Sequence, residues 1–227
     1  MRHQREGRWR SLYHYRFLIL FLTLVAAVLV PPWFEGLELL GKAWGLMFSL
    51  VMISALYSLT GAERVTGLLI LLLVPSFLMT WAAQLTEAHW ADYADNGTSI
   101  LYLSLVAYLL ARFVATAPQV TSNVIYAAMC LYLVIAFIWG AIYSTLYLFN
   151  PASFAFSSPA LQAMAAAPGT TASVFNYASF VTLTTLGYGD VLPLTRVAQS
   201  WVAIEATAGQ LYIAIVIARL VGLHGSH

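Results

Sequence analysis

Between Thr182 and Asp190 the chain reads TLTTLGYGD, and the chemistry this order permits belongs to the main chain. Glycines at alternate positions, Gly187 and Gly189, accept positive φ at little steric cost. Successive carbonyls can then face one way, as a ladder of oxygens instead of a zigzag. Four such ladders around an axis would replace the water shell of a dehydrated cation, with the Thr185 hydroxyl adding an innermost ring. One ladder cannot surround an ion, so this chemistry demands a tetramer. The ion-binding candidates are Thr185, Leu186, Gly187, Tyr188 and Gly189, followed by an acid, Asp190.

Irregular backbone at membrane depth is tolerated only where it is buried in protein or lines an aqueous path, so neighbouring elements must hold this segment. The stretch from Ser173 to Thr184 is too short to cross a bilayer, since at ~1.5 Å per residue its helix is roughly 18 Å long. It follows Pro168–Gly169 and a Thr/Ser cluster suited to capping its start. It reads as a re-entrant helix entering from outside, its C-terminus aimed at the membrane centre with a partial negative charge of about half an elementary unit.

The rest of the chain fits that setting. It is 61% hydrophobic and 8% charged, where a soluble domain carries about a quarter charged residues. A net charge of +1 with no basic patch excludes a nucleic-acid partner. The single cysteine, Cys130, can form no intramolecular disulfide and reads as a packing residue. Six apolar runs of spanning length lie at 16–34, 38–60, 66–86, 98–117, 124–149 and 197–222. The first also has the outline of a signal peptide, but no small-x-small cleavage site follows it, and Pro31–Pro32 suits a helix end at the interface. Arg2, Arg5, Arg8, Arg10 and Arg16 precede it, which places the N-terminus in the cytoplasm and, after six crossings, the C-terminus too. Arg64, Arg112 and Arg219 then fall on the inner side. Two longer stretches read as loops outside the bilayer: the acidic EAHWADYADNG and the irregular 150–172.

TLGYGD closely resembles the T-V-G-Y-G-D signature of potassium-channel selectivity filters, and the flanking order resembles that family's pore module. The resemblance implies an all-α membrane protein, with the re-entrant helix and filter loop between its fifth and sixth spans, assembled as a homotetramer in the bilayer. The expected organisation is a cytoplasmic N-terminus at 1–15, a four-helix scaffold at 16–117, and a pore domain at 124–222. Within the pore domain stand an outer helix 124–149, a loop 150–172, a pore helix 173–184, a filter 185–190 and an inner helix 197–222, before a short tail at 223–227. By resemblance, Thr185 to Gly189 hold K+ as the permeant ion, no cofactor is needed, and Asp190 sits at the outer mouth. Leu186 replaces the usual valine and is expected to pack behind the filter. Tyr177–Ala178 stand where the family often has paired tryptophans, and the Tyr177 hydroxyl is placed to reach Asp190.

Glu205, ~12 Å into the last span, is costly at that depth and by default a functional residue. It either faces the pore, braces the filter through hydroxyls such as Thr182 or Thr184, or is a neutral acid satisfied by a neighbouring helix. Gly209, on a similar face, occupies by resemblance the inner helix's glycine hinge position; close helix packing explains it equally. Ala206, Ala214, Ala218 and Gly222 repeat every fourth residue, broken by Gln210, and suit either a gate near the cytoplasmic end or rigid packing. Arg219 is expected to snorkel to the inner headgroups.

The fourth span contains only Arg112, whereas a voltage sensor needs several regularly spaced arginines. The expected protein is therefore a passive potassium channel without a voltage sensor and, given the few residues after Arg219, without a cytosolic ligand-binding domain. A non-selective cation channel of the same fold, a non-conducting accessory subunit and a polytopic membrane enzyme using Glu205 and a histidine are the alternatives. No nucleophile–base pair or metal motif supports the enzyme. His89 with Glu87, Asp92 and Asp95 could bind metal or sense external protons, or be an ordinary solvated loop.

Overall fold

The computed structural model describes residues 15–34, 40–61, 63–86, 89–167 and 170–224. Arg2, Arg5, Arg8, Arg10, Glu35, Glu38, Glu87, Pro168, Gly169 and residues 225–227 lie outside them. So do the side chains of His89 and His224. Long apolar runs become long helices because a helix satisfies its own backbone polar groups without water. They are α1 (Arg16–Leu29), α2 (Leu40–Leu59), α3 (Glu63–Leu85), α4 (His89–Thr116), α5 (Ser122–Phe149) and α8 (Arg196–His224). These six are long and apolar enough to cross a membrane, α1 together with the 3-10 turn Pro31–Phe34.

The core runs between α1, α2, α4 and α5, where Phe17, Leu20, Leu24, Met52, Tyr102, Val106, Leu110, Val134 and Phe137 are buried together. In this apolar setting polar side chains bond to backbone or to each other. Ser49, Ser54 and Ser58 donate back to carbonyls of α2 one turn earlier. Thr23 and Ser54 meet across α1 and α2 at 2.7 Å, and the Tyr102 hydroxyl donates to the Met52 carbonyl at 2.6 Å. Cys130 is buried and free, with Sγ near the Phe17 carbonyl.

Two expected loops are largely regular structure. The acidic stretch forms the first turns of α4, which starts at His89 rather than at residue 98. Its acids are compatible with a helix because Asp92 stands in the first turn, favoured by the helix dipole. Asp95 turns inward and accepts from Thr80 Oγ1 at 2.6 Å and Ser99 Oγ at 3.3 Å. The stretch 150–172 holds a 3-10 turn (Pro151–Ser153), β1 (Phe154–Phe156) and α6 (Pro159–Ala166). The protein is therefore not purely helical: β1 pairs antiparallel with β2 (Val191–Pro193), in the register Phe154 to Pro193 and Phe156 to Val191.

This small sheet sits beside a second core. Phe175 from α7 (Thr171–Leu183) stacks against Tyr147, Phe154 and Phe156, with ring centroids 5.2, 5.0 and 6.2 Å away. The short helix α7 also packs along α5, where Gly140 permits the approach: a Cβ there would stand 2.8 Å from the Asn176 Cα.

Candidate functional site

The segment 184–190 hangs between α7 and β2, and each end is tied. The threonines before α7 do not cap it with their side chains. Thr170 Oγ1 donates to the Met164 carbonyl at 2.5 Å and Thr171 Oγ1 to the Ala165 carbonyl at 2.8 Å, so both close the end of α6 instead. At the other end of α7 the chain turns on its own carbonyls. Thr185 N–H donates to Thr182 O, while Leu186 and Gly187 N–H both donate to Val181 O, at 3.0 and 3.2 Å. The Leu183 carbonyl accepts from the Tyr132 hydroxyl of α5 at 3.1 Å.

From there φ is positive at every second residue: +59° at Thr185, +59° at Gly187 and +77° at Gly189. Leu186 and Tyr188 are not in that region. Alternating left- and right-handed residues turn successive peptide planes so that neighbouring carbonyls share a side. Glycine does this freely; a β-branched threonine at positive φ is an outlier that its surroundings must hold. The exit is pinned by β2 and by two further bonds. Ser157 N–H donates to the Asp190 carbonyl at 2.9 Å, and Leu194 N–H to the Ser153 carbonyl at 2.8 Å.

Asp190 is held by its side chain. Its Oδ2 accepts from the Tyr177 hydroxyl at 2.5 Å and its Oδ1 from Val191 N–H at 3.1 Å. Leu186 differs from expectation. It does not pack behind the segment within its own chain: it is 55% exposed and Tyr188 67%. A single chain has no second wall there.

Glu205 is fully buried behind the segment, between α5, α7 and α8. Its Oε2 accepts from the Tyr143 hydroxyl, and its Oε1 lies 2.5 Å from Ser179 Oγ. Ser179 Oγ also lies 2.7 Å from the Ala136 carbonyl. The expected partners are therefore replaced. Thr184 Oγ1 donates to the Phe180 carbonyl at 2.7 Å, and Thr182 neighbours the Tyr143 hydroxyl rather than Glu205. Glu205 thus ties the inner helix to the other two from behind, through Tyr143 and Ser179.

Gly209 has a packing role: a Cβ there would fall 2.2 Å from the Leu183 carbonyl, so only glycine lets α8 touch the end of α7. One residue further on, Gln210 Nε2 donates to Thr185 Oγ1 at 3.2 Å. Ala214 and Ala218 are exposed, and a Cβ added at Gly222 would meet nothing within 4 Å. Any close packing of that stripe requires further copies of the chain. Arg219 reaches the end of α4. Its Nε donates to the Val114 carbonyl at 3.1 Å, and one terminal nitrogen to those of Ala115 and Ala117 at 2.5 and 3.3 Å. It closes the C-terminal end of α4, where a cation is favoured. Tyr132, Tyr143 and Ser179 carried no mark in the sequence beyond a polar group on an otherwise apolar helix, and Gln210 stood only as a break in the small-residue repeat.

Residues 120–223 match the family described as ion channel. That stretch of the chain is similar to an ion channel. It runs from just before α5 almost to the end of α8, a little under half of the chain, and contains the segment 184–190 with Glu205, Gly209 and Gln210. No curated protein and no solved structure matches the chain.

Proposed function

We propose that four copies of the chain form a potassium-selective channel in the plasma membrane, passing K+ passively down its electrochemical gradient. Thr185 to Gly189 line the conduit and Asp190 stands at its outer mouth. The observation that carries this reading is the run of positive φ at Thr185, Gly187 and Gly189, the backbone that a ladder of inward carbonyls needs. The exposure of Leu186 and Tyr188 supports assembly, because a neighbouring copy would supply the missing wall. The match of 120–223 to the ion-channel family supports the same class of function. Both termini are cytoplasmic in this reading, and the protein is not an enzyme.

The test is ion flux into liposomes holding the purified protein under a K+ gradient. Selective K+ uptake that Ba2+ blocks is the expected result, from a particle of tetramer size. Equal Na+ uptake would leave a non-selective cation channel. No uptake at all, or a particle smaller than a tetramer, would remove the channel reading.

A further inference from the structure

The inner helix carries a side chain, Gln210, whose polar group reaches the Thr185 hydroxyl and which the function above does not use. We propose that Gln210 is a positioning residue for the innermost ion site: its carboxamide holds the Thr185 hydroxyl in one orientation and so sets the affinity and selectivity of that ring. The inference rests on the channel reading and deepens it.

Three observations converge. Gln210 Nε2 donates to Thr185 Oγ1 at 3.2 Å, across twenty-five positions of sequence. The reach is possible because the preceding residue is Gly209, which brings α8 within contact of the Leu183 carbonyl. The target is the one non-glycine residue at positive φ among those described, a conformation that persists only where neighbours over-determine it.

The chemistry follows from counting lone pairs. A threonine oxygen has two lone pairs and one proton on a freely turning bond. When the Gln210 N–H occupies one lone pair, the rotor stops. The proton is directed elsewhere and the second lone pair is left for a cation. In a tetramer the innermost ring would present four such oriented oxygens. Without the amide, each hydroxyl turns freely and can direct its proton toward the ion. A ring that must reorient before it can bind holds a cation less tightly and separates sizes less well.

The test compares the wild type with Gln210→Met, which keeps length and bulk but has no donor, and with Gln210→Glu, which keeps the length but can only accept. All are assayed as intact protein in liposomes for K+ and Na+ flux and for the Ba2+ concentration that halves K+ flux. Gln210→Met should remain tetrameric and conduct K+. Its half-blocking Ba2+ concentration should rise by up to about tenfold, the upper end for one lost hydrogen bond between neutral groups, and its K+ preference over Na+ should fall. In Gln210→Glu the carboxylate accepts a hydrogen bond from the Thr185 hydroxyl and leaves both lone pairs of that hydroxyl free, so its half-blocking concentration should fall below that of the wild type. Unchanged block and unchanged ion preference in Gln210→Met would overturn the inference while leaving the channel intact. Should that variant not assemble, block in Gln210→Glu no tighter than in the wild type decides against it as well. A wild type that passes no K+ removes the underlying function and the inference together.

Discussion

At the scale of single residues, the number of protons around Glu205 makes a sharp prediction. The carboxylate is wholly buried, with the Tyr143 hydroxyl on one oxygen and Ser179 Oγ 2.5 Å from the other. Ser179 has one proton and two neighbouring oxygens to satisfy, Glu205 Oε1 and the Ala136 carbonyl at 2.7 Å. A carboxamide resolves that shortage, since its oxygen accepts from Tyr143 while its nitrogen donates to Ser179. Glu205→Gln should therefore keep thermal stability and K+ selectivity near those of the wild type. Glu205→Ala removes the acceptor of the buried Tyr143 hydroxyl, at about 1–3 kcal/mol, while Ser179 keeps the Ala136 carbonyl, and should lower the melting temperature of the solubilised protein clearly. Equal losses in the two variants would show that the charge, not the hydrogen bonds, matters. The alternation of positive φ at Gly187 and Gly189 was legible in the sequence, because such backbone calls for glycine at fixed intervals. Glu205 was legible as an oddity of depth. Its partners were not, because Tyr143 and Ser179 come beside it only when three helices pack.

At the scale of elements, the long helices followed from apolar length alone, while the outer structure did not. A three-residue strand has no periodicity to read, and β1 exists because it pairs with β2, thirty-five to thirty-nine positions away, Phe154 with Pro193 and Phe156 with Val191. The first turns of α4 were hidden for the opposite reason: Asp92, Asp95 and Asn96 look like loop composition, yet Asp95 and Asn96 have partners on α3 and α5, Thr80 and Ser144. The joint most exposed to test is that between α7 and α8. Gly209→Ala places a methyl group where the Leu183 carbonyl stands, 2.2 Å from it, and that neighbour is backbone. Either α8 shifts outward or the end of α7 does. Both stretch the Gln210–Thr185 bond and the contact of Tyr132 with Leu183. The expected outcome is a loss of about 1–3 kcal/mol, the usual range for overpacking, read as a lower melting temperature, together with weaker K+ selectivity. A variant as stable and selective as the wild type would mean that the two helices have slack at this point.

At the scale of the whole molecule, the question is what the first four helices do to the proposed pore. Moving one elementary charge across the membrane potential is worth about 2.3 kcal/mol per 100 mV, and steep voltage gating needs 3–4 such charges in each subunit. α4 offers Arg112 as its one basic residue. The helix is also fastened along its length. Asp95 accepts from Thr80 of α3, Thr98 O accepts from Ser76 of the same helix, and the Tyr102 hydroxyl reaches the Met52 carbonyl of α2. At its far end the carbonyls of Val114 and Ala115, with Ala117 beyond, are held by Arg219 of the inner helix. A helix sliding under voltage would have to break several of these bonds in an apolar medium, each time exposing a polar group that has no water to turn to. One charge cannot drive that. Opening should accordingly depend on voltage by no more than about one elementary charge per subunit, even over a range of 200 mV, roughly the 4.6 kcal/mol one charge could supply. The Arg219 contact joins the end of α4 to the C-terminal part of α8, so that α4 acts as a strut instead of a lever. Planar-bilayer recordings of the reconstituted protein measure this directly, through the slope of open probability against voltage. A slope of several charges per subunit would mean that α4, despite its bonds and its single arginine, moves.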